Sequence, residues 1–307
     1  MFKILIKNMI KVFIYPFRVM KSILEIKCFL KEFFDVKLNY IFNNQNAIKT
    51  ILIENYINDN LHKNVKYTND KKLNKYEFQV YSQHGEDGII EEIFNRIGST
   101  NKYFVEFGAE KGLENNTLFL LIKNWRGSWI EGNDEYVRFI KNKFEFLLQK
   151  GALSVIQSFI TAENIEDTFR ILSVPSEFDL LSIDIDGNDY WVWKAIKNYS
   201  PRVVVIEYNA IFRPPTQYVI KYEPFKKFEI TRSFGASLQS LYLLAEEKGY
   251  KLVACNFAGG NAFFVRSDLV REHFMFPFTA ENHYEPPRYY LERILGHRRD
   301  FAGFNNS

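Results

Sequence analysis

From about Phe78 onward, short apolar runs alternate with stretches whose apolar residues recur at helical spacing. That alternation predicts βαβ units and a parallel sheet. Gly85 to Ile97 reads as a helix, with Ile89, Ile90, Ile93, Phe94 and Ile97 on one face. Lys102 to Phe107 reads as a first strand, and Asn116 to Asn124 as a helix with Leu118, Leu121 and Ile122 inward. A second strand follows at Gly127 to Glu131, a helix at Asp134 to Gln149, and a third strand at Leu153 to Gln157. Then come a helix at Ile165 to Leu172 and strands at Phe178 to Asp184 and Val203 to Tyr208. The end of the pattern differs. Ser237 caps a helix running to Lys248, and Gly249 stops it. Tyr250 to Asn256 and Ala262 to Arg266 are strands joined by Phe257 to Asn261, too short a connection for a parallel crossover. The expectation is an α/β fold with helices on both faces of a mostly parallel sheet that ends in an antiparallel strand pair.

The flanks break this pattern. Residues 59–75 are rich in Asn, Lys and Asp and read as a linker. It divides a basic, helical N-terminal extension, residues 1–58, from a main domain, residues 76–273, and an aromatic C-terminal tail occupies 274–307. From Met1 to Phe34, apolar residues are interrupted by Lys3, Lys7, Lys11, Arg18, Lys21, Lys27 and Lys31. No apolar run approaches the ~20 residues of a spanning helix, and no small-residue cleavage site follows one. Two readings stay open: a basic amphipathic helix on an anionic membrane surface, at the inner face of the membrane, or a helix packed on the domain or on a partner such as a second copy.

Composition adds little. With 47% apolar and 25% charged residues the chain has globular values, and a formal net charge of +3 gives no argument for nucleic acid. Cys28 and Cys255 are far apart and belong to no Cys/His cluster. They read as inert thiols in a reducing cytoplasm rather than as a zinc site or a disulfide.

Chemistry is expected where strands end, because ligands of open α/β sheets bind outside the carboxyl ends near the switch in strand order. In Val105-Glu-Phe-Gly-Ala-Glu-Lys-Gly112, Gly108 permits a sharp turn and a close ligand approach, and Glu106 can accept from a ligand ammonium. The Gly-x-Gly-x-x-Gly of pyrophosphate-binding folds is absent, and a carboxylate here repels phosphate. A cationic sulfonium cofactor with an amino-acid tail suits the turn better. Glu131 ends the second strand, where an acidic residue about 20 residues past the glycine turn meets ribose hydroxyls. Phe159, after the third strand, can flank an adenine, although Thr161 as a plain helix cap explains that turn equally well. The densest cluster is Asp184-Ile-Asp186-Gly-Asn-Asp189, with Glu207-Tyr-Asn209 ending the next strand. Strand alternation places Asp184 and Asp186 on one side. Asp184, Asp186, Glu207 and Asn209 form an oxygen set suited to Mg²⁺ or a related divalent ion that would acidify a substrate hydroxyl. The plainer reading is a cofactor-facing carboxylate beside solvated loop acids.

Ser82-Gln-His-Gly-Glu-Asp-Gly88, Val105-Glu-Phe-Gly-Ala109, Asn115-Asn-Thr117, Trp129-Ile-Glu131 and Ile183-Asp-Ile-Asp-Gly-Asn-Asp-Tyr190 together resemble the FkbM-like S-adenosylmethionine-dependent methyltransferases. The resemblance spans about Phe78 to Leu269 and implies the methyltransferase variety of the Rossmann-like fold, in which the sheet closes on an antiparallel pair. It implies O-methylation of a sugar hydroxyl on a bacterial surface glycan or a nucleotide-sugar-derived precursor. By position, Glu106, Gly108, Asn116, Thr117, Glu131 and Asp184 would line the cofactor, with Gln83 and Asp87 over its methionine end. The chain departs from the family pattern at Lys111, where an Asp is usual, and in Asp-Ile-Asp-Gly where relatives have Asp-Val-Glu-Gly. Asp186 or Asp189 would serve as base or metal ligand, with His84 as a second candidate base. Two other classes compete. One is a metal-dependent glycosyltransferase using Asp184-Ile-Asp186, against which the upstream glycine turn and Glu131 argue. The other is a non-catalytic glycan-binding relative.

Overall fold

The structure is a computed structural model that describes residues 27, 31, 33–38, 40–41, 44–225, 231–292 and 299–301. Lys3, Lys7, Lys11, Arg18 and Lys21 of the basic N-terminal stretch, Cys28 and the end of the C-terminal tail lie outside the described residues. The described residues divide into two compact units, one up to Leu52 and one from Ile53 onward that takes in residues 299–301. The described residues of the first unit are helical and largely exposed. Among the described residues, no helix is long and apolar enough to cross a membrane.

The second unit is built on seven strands: β1 Tyr103–Phe107, β2 Arg126–Glu131, β3 Leu153–Gln157, β4 Glu177–Ile183, β5 Ser200–Glu207, β6 Tyr250–Cys255 and β7 Asn261–Arg266. Their order is β3-β2-β1-β4-β5-β7-β6. β1 to β5 are mutually parallel, and β7 is antiparallel to both β5 and β6. This is the expected Rossmann-like methyltransferase fold. The period-two pattern of a strand divides the apolar residues between two cores. Val105, Leu181, Val204 and Ile206 face Phe169, Trp193 and Leu241 from helices Ile165–Ile171, Asp189–Ala195 and Leu238–Glu247. Phe104, Leu180, Val203 and Val205 face Ile89, Ile93, Leu118 and Ile140 from helices Glu86–Ile97, Leu118–Ile122 and Asp134–Lys143. The order reverses between β1 and β4, so Gly108 and Asp184, each just past its strand, are neighbours at the switch point.

Several local expectations change. The stretch 59–75 is folded rather than a linker. Short helical turns at Asn58–His62, Val65–Tyr67 and Asn74–Tyr76 bury Leu61, Tyr67 and Leu73. Its polar residues find partners: Lys72 donates to Asn282 O at 2.8 Å and Asn74 to Cys255 O at 2.7 Å. The described part of the aromatic tail is also packed, with Phe274, His283, Glu285, Leu291 and Phe301 buried. The helix read as Asp134 to Gln149 breaks at Phe144, whose backbone leaves helical geometry while its ring packs edge-on against Trp129 at 5.0 Å. Asp184 lies outside β4, and helix Asp189–Ala195, which the sequence pattern did not reveal, follows at once. Cys255 is a free buried thiol.

Candidate active site

A cavity of about 870 Å³ opens at the carboxyl ends of the central strands. Gly108 sets its floor. Its φ is +68°, and it donates its N–H to Ile130 O at 3.0 Å. A Cβ there would lie 1.7 Å from Asp184 O, so only glycine lets the two strand ends approach this closely.

Glu106 lines the cavity but is already engaged. Its carboxylate accepts from Asn116 N at 2.8 Å, Asn115 Nδ2 at 2.7 Å and Ser182 Oγ at 3.1 Å, and from the Thr117 hydroxyl. Burial pushes its pKa up to about 7 against these donors. Glu106 therefore shapes the Asn115–Thr117 turn, and that turn, not Glu106 alone, presents polar groups to a ligand. Glu131 accepts from Glu110 N at 2.8 Å and Asn133 N at 2.7 Å, which fixes its carboxylate at the end of β2. Phe159 is 43% exposed and stands at the rim, its ring 6.1 Å from that of Phe225.

Across the cavity, Asp184, Asp186 and Glu207 bring carboxylate oxygens within 4.8 Å of one another. Strand alternation does not cause this. The chain leaves β4 at Ile183, and Asp186 sits in a tight turn at φ +57°. Asp189 holds that turn by accepting from Ile185 N at 2.9 Å and Gly187 N at 2.8 Å. Burial first, then the neighbouring carboxylates, push Asp184 and Glu207 well above the carboxylate range, and burial raises Asp186. One Glu207 oxygen, Oε2, is buried without a hydrogen-bond partner among the described residues. An all-oxygen, anionic set with an orphaned carboxylate oxygen fits a hard divalent cation.

Of the residues singled out from sequence, Gln83, Glu106, Gly108, Asn116, Glu131, Phe159, Asp184, Asp186 and Glu207 line this one cavity. Five do not. His84 borders a separate small cavity with Glu77 and Phe257, which removes it as a base for this site. Asp87 accepts from Val80, Tyr81 and Ser82 N–H groups and orders the loop ahead of Gln83. Thr117 bridges Glu106 and the Trp129 indole, fully buried. Asp189 is the turn clamp just described rather than a base. Asn209 is not a metal ligand: its amide donates to Arg232 O and Phe234 O, and its carbonyl accepts from Ile211 N. Sequence reading missed Glu86, Glu110, Tyr136, Asn188 and Asn261, which also line the cavity. Glu110 stood in the glycine turn itself and Tyr136 just after Glu131. Glu86 and Asn261 arrive from elements with no local sign of a site.

The cavity lining is strongly acidic. Among the described residues, Glu86, Glu106, Glu110, Glu114, Glu131, Asp184, Asp186 and Glu207 face only Lys111 and Arg299 in this lining, and Arg299 already pairs with Glu114 at 3.0 Å. The sign of the pH dependence follows. The folded state holds protons on Glu106, Asp184 and Glu207 that the unfolded chain releases, so their stability contribution is complete below an unfolded pKa of roughly 4. It is lost as pH rises through their raised folded values. Melting temperature in a chelator is expected to be lower at about pH 8 than at about pH 5. Millimolar Mg²⁺ is expected to restore more at the higher pH, because a bound cation replaces the protons. Differential scanning fluorimetry checks both.

The chain matches no family model and no curated protein sequence. Solved structures similar to it include the O-methyltransferase from Bacillus cereus in complex with SAH, at 14% identity and a TM-score of 0.41, covering 71% of this chain and 97% of that one. An S-adenosylmethionine-dependent methyltransferase from Clostridium acetobutylicum has 11% identity and a TM-score of 0.37, covering 69% and 97%. The N-terminal domain of EvdMO1 with SAH bound has 13% identity and a TM-score of 0.38, covering 59% and 79%.

Proposed function

We propose that this protein is an S-adenosylmethionine-dependent O-methyltransferase acting on a sugar hydroxyl of a bacterial surface glycan or its precursor. The observation that carries the reading is the acidic cavity at the β1–β4 switch point, floored by Gly108 and flanked by Glu131 and the Asp184–Asp186–Glu207 group. A sulfonium cofactor brings positive charge to such a lining. A nucleotide diphosphate brings more negative charge to it, which weighs against a glycosyltransferase. The sugar class rests on the FkbM-like motifs alone.

In this reading Glu131 takes the ribose hydroxyls, Phe159 and Ile160 flank the adenine, and the Asn115–Asn116 turn and Gln83 meet the amino-acid end. Asp184, Asp186 and Glu207 would hold a divalent cation. When bound, such an ion supplies a lowered pKa for an oxygen it contacts. Asp186 is the most exposed of the three, and burial raises its pKa above the ordinary carboxylate value, which makes its carboxylate a stronger base. It would accept the proton of the acceptor hydroxyl as that oxygen takes the methyl group from the donor's sulfur, with S-adenosylhomocysteine as the leaving product. Water exclusion and alignment do the rest, since the methyl donor is already activated.

Asp186→Asn is expected to lower methyl transfer to a glycan precursor by at least about 100-fold, within the range of a lost general base. S-adenosylmethionine affinity should stay within a small factor, because Glu131 and the Asn115–Asn116 turn remain. Transfer of isotope-labelled methyl groups measures the first and calorimetry the second. Unchanged transfer removes Asp186 from the mechanism.

A further inference from the structure

The cavity has two sides, set by strand order. Glu131 and Phe159 stand over β2 and β3, and the far side stands over β5 and β7. On the far side, register places Glu207 opposite Asn261. Asn261 donates through Nδ2 to Glu86 Oε1 at 3.1 Å, and Asn256 donates to the same oxygen at 2.7 Å. The other Glu86 oxygen accepts from His84 N at 2.8 Å, so Glu86 is buried, held and fully engaged. Asn188, only 5% exposed, donates its amide to Glu223 O at 2.8 Å.

That leaves a matching set of orphans. Asn188 Oδ1, Asn261 Oδ1 and Glu207 Oε2 are buried without a hydrogen-bond partner among the described residues, and all three residues line the cavity. Buried polar atoms are nearly always satisfied, because leaving one without a partner forfeits its hydration with nothing in return. Glu207 Oε2 belongs to the cation group, whereas the two amide oxygens can only accept, so what satisfies Asn188 and Asn261 must donate. The Glu86 carboxylate, bonded to Asn261 beside them, disfavours anions.

We propose that Asn188 and Asn261 form the acceptor subsite, and that it selects an uncharged, multiply hydroxylated sugar ring over uronate or phosphate-bearing sugars. The proposal rests on the methyltransferase reading for the identity of the neighbouring cofactor side. Asn188 and Asn261 accept from ring hydroxyls, and Glu86 acts through Asn261 as a positioning residue that fixes the amide's orientation.

The test is saturation-transfer NMR on the full chain, with and without S-adenosylhomocysteine. The probes are methyl glucoside, methyl galactoside and methyl mannoside, set against methyl glucuronide and glucose 1-phosphate. At least one neutral glycoside is expected to bind about tenfold or more tightly than the charged sugars. Asn261→Leu and Asn188→Leu are each expected to weaken it by about tenfold or more, as when a hydroxyl-reading site loses its partner. S-adenosylhomocysteine affinity in both variants should stay within about twofold, which also shows that they fold; a tenfold step equals about 1.4 kcal/mol. The proposal is overturned if charged sugars bind as well as neutral ones, if no neutral glycoside binds, or if both variants bind like the parent. Failure of S-adenosylhomocysteine itself to bind would sink the methyltransferase reading, and the sugar arms run without it would still judge the subsite.

Discussion

Replacing Gly108 by alanine is expected to disable the site more completely than any substitution of a charged residue around it. The added methyl would lie 1.7 Å from the Asp184 carbonyl oxygen, and the φ of +68° would have to be kept by a residue with a side chain. The left-handed backbone alone costs roughly 1–2 kcal/mol. The overlap is with backbone, so it cannot be relieved by a rotamer change. The ends of β1 and β4 must move apart, carrying Glu106 and the Asp184–Asp186 turn with them. A displacement near 1 Å at reacting groups lowers rate by about 100-fold. Catalytic efficiency, S-adenosylmethionine affinity and melting temperature are all expected to fall in Gly108→Ala. Gly151→Ala serves as the control: it also has positive φ, but its added Cβ meets no heavy atom within 4 Å, so it should cost only backbone strain.

The second large effect lies at the opposite end of the sheet. Asp179, fully buried at the start of β4, pairs with the buried Arg202 of β5 at 2.6 Å. It also accepts from the backbone N–H groups of Thr100 at 2.9 Å, Asn101 at 3.0 Å and Lys102 at 2.7 Å. Arg202 in turn donates to Gly98 O and Ile97 O, tying the end of helix Glu86–Ile97 to β5. Asp179→Ala leaves a buried guanidinium without its counter-charge and three backbone donors without an acceptor. Breaking a buried pair this way costs about 3–5 kcal/mol. Denaturant titration should show that loss, and melting should fall by roughly 10 °C. Ligand affinity measured well below the transition should be unchanged, because the cavity opens at the far ends of the same strands. The two variants separate the framework from the site.

Which parts of this were legible in the sequence follows from how local their causes are. β1 and β5 announce themselves in the apolar runs Tyr103-Phe-Val105 and Val203-Val-Val-Ile206, and helix Glu86–Ile97 shows its buried face in isoleucine spacing. The β6–β7 hairpin was legible because five connecting residues leave no room for a crossover. Gly108, Glu131 and Asp184 could be found because each follows or ends a strand that could be found. The failures share one origin, contacts distant in sequence. The segment 59–75 looked like a linker because its many polar residues concealed Leu61, Tyr67 and Leu73, and because the partners of Lys72 and Asn74 lie some two hundred residues away. Asn209 looked like a ligand until Arg232 and Phe234 were seen to take its amide. Asp189 and Asp87 looked like chemistry and are turn clamps, a role acidic residues share because they accept from successive backbone N–H groups. Asn261 could not be assigned to the site from sequence, since only the antiparallel pairing of β7 with β5 brings it opposite Glu207.

The same physics links stability to function here. Three carboxylates held within 4.8 Å oppose the folded state without a counter-charge. Such a cluster costs stability unless its ligands offset it, which is the pattern expected of a binding site rather than of a scaffold.

The central claim is that the cavity floored by Gly108 is an S-adenosylmethionine site. Isothermal titration calorimetry of the full chain with S-adenosylmethionine, S-adenosylhomocysteine and UDP-glucose, each with and without Mg²⁺, tests it most directly. One S-adenosylmethionine or S-adenosylhomocysteine per chain, lost in Gly108→Ala, is the result predicted, with no heat from UDP-glucose. Binding of UDP-glucose with Mg²⁺ and no binding of either sulfur compound would contradict it.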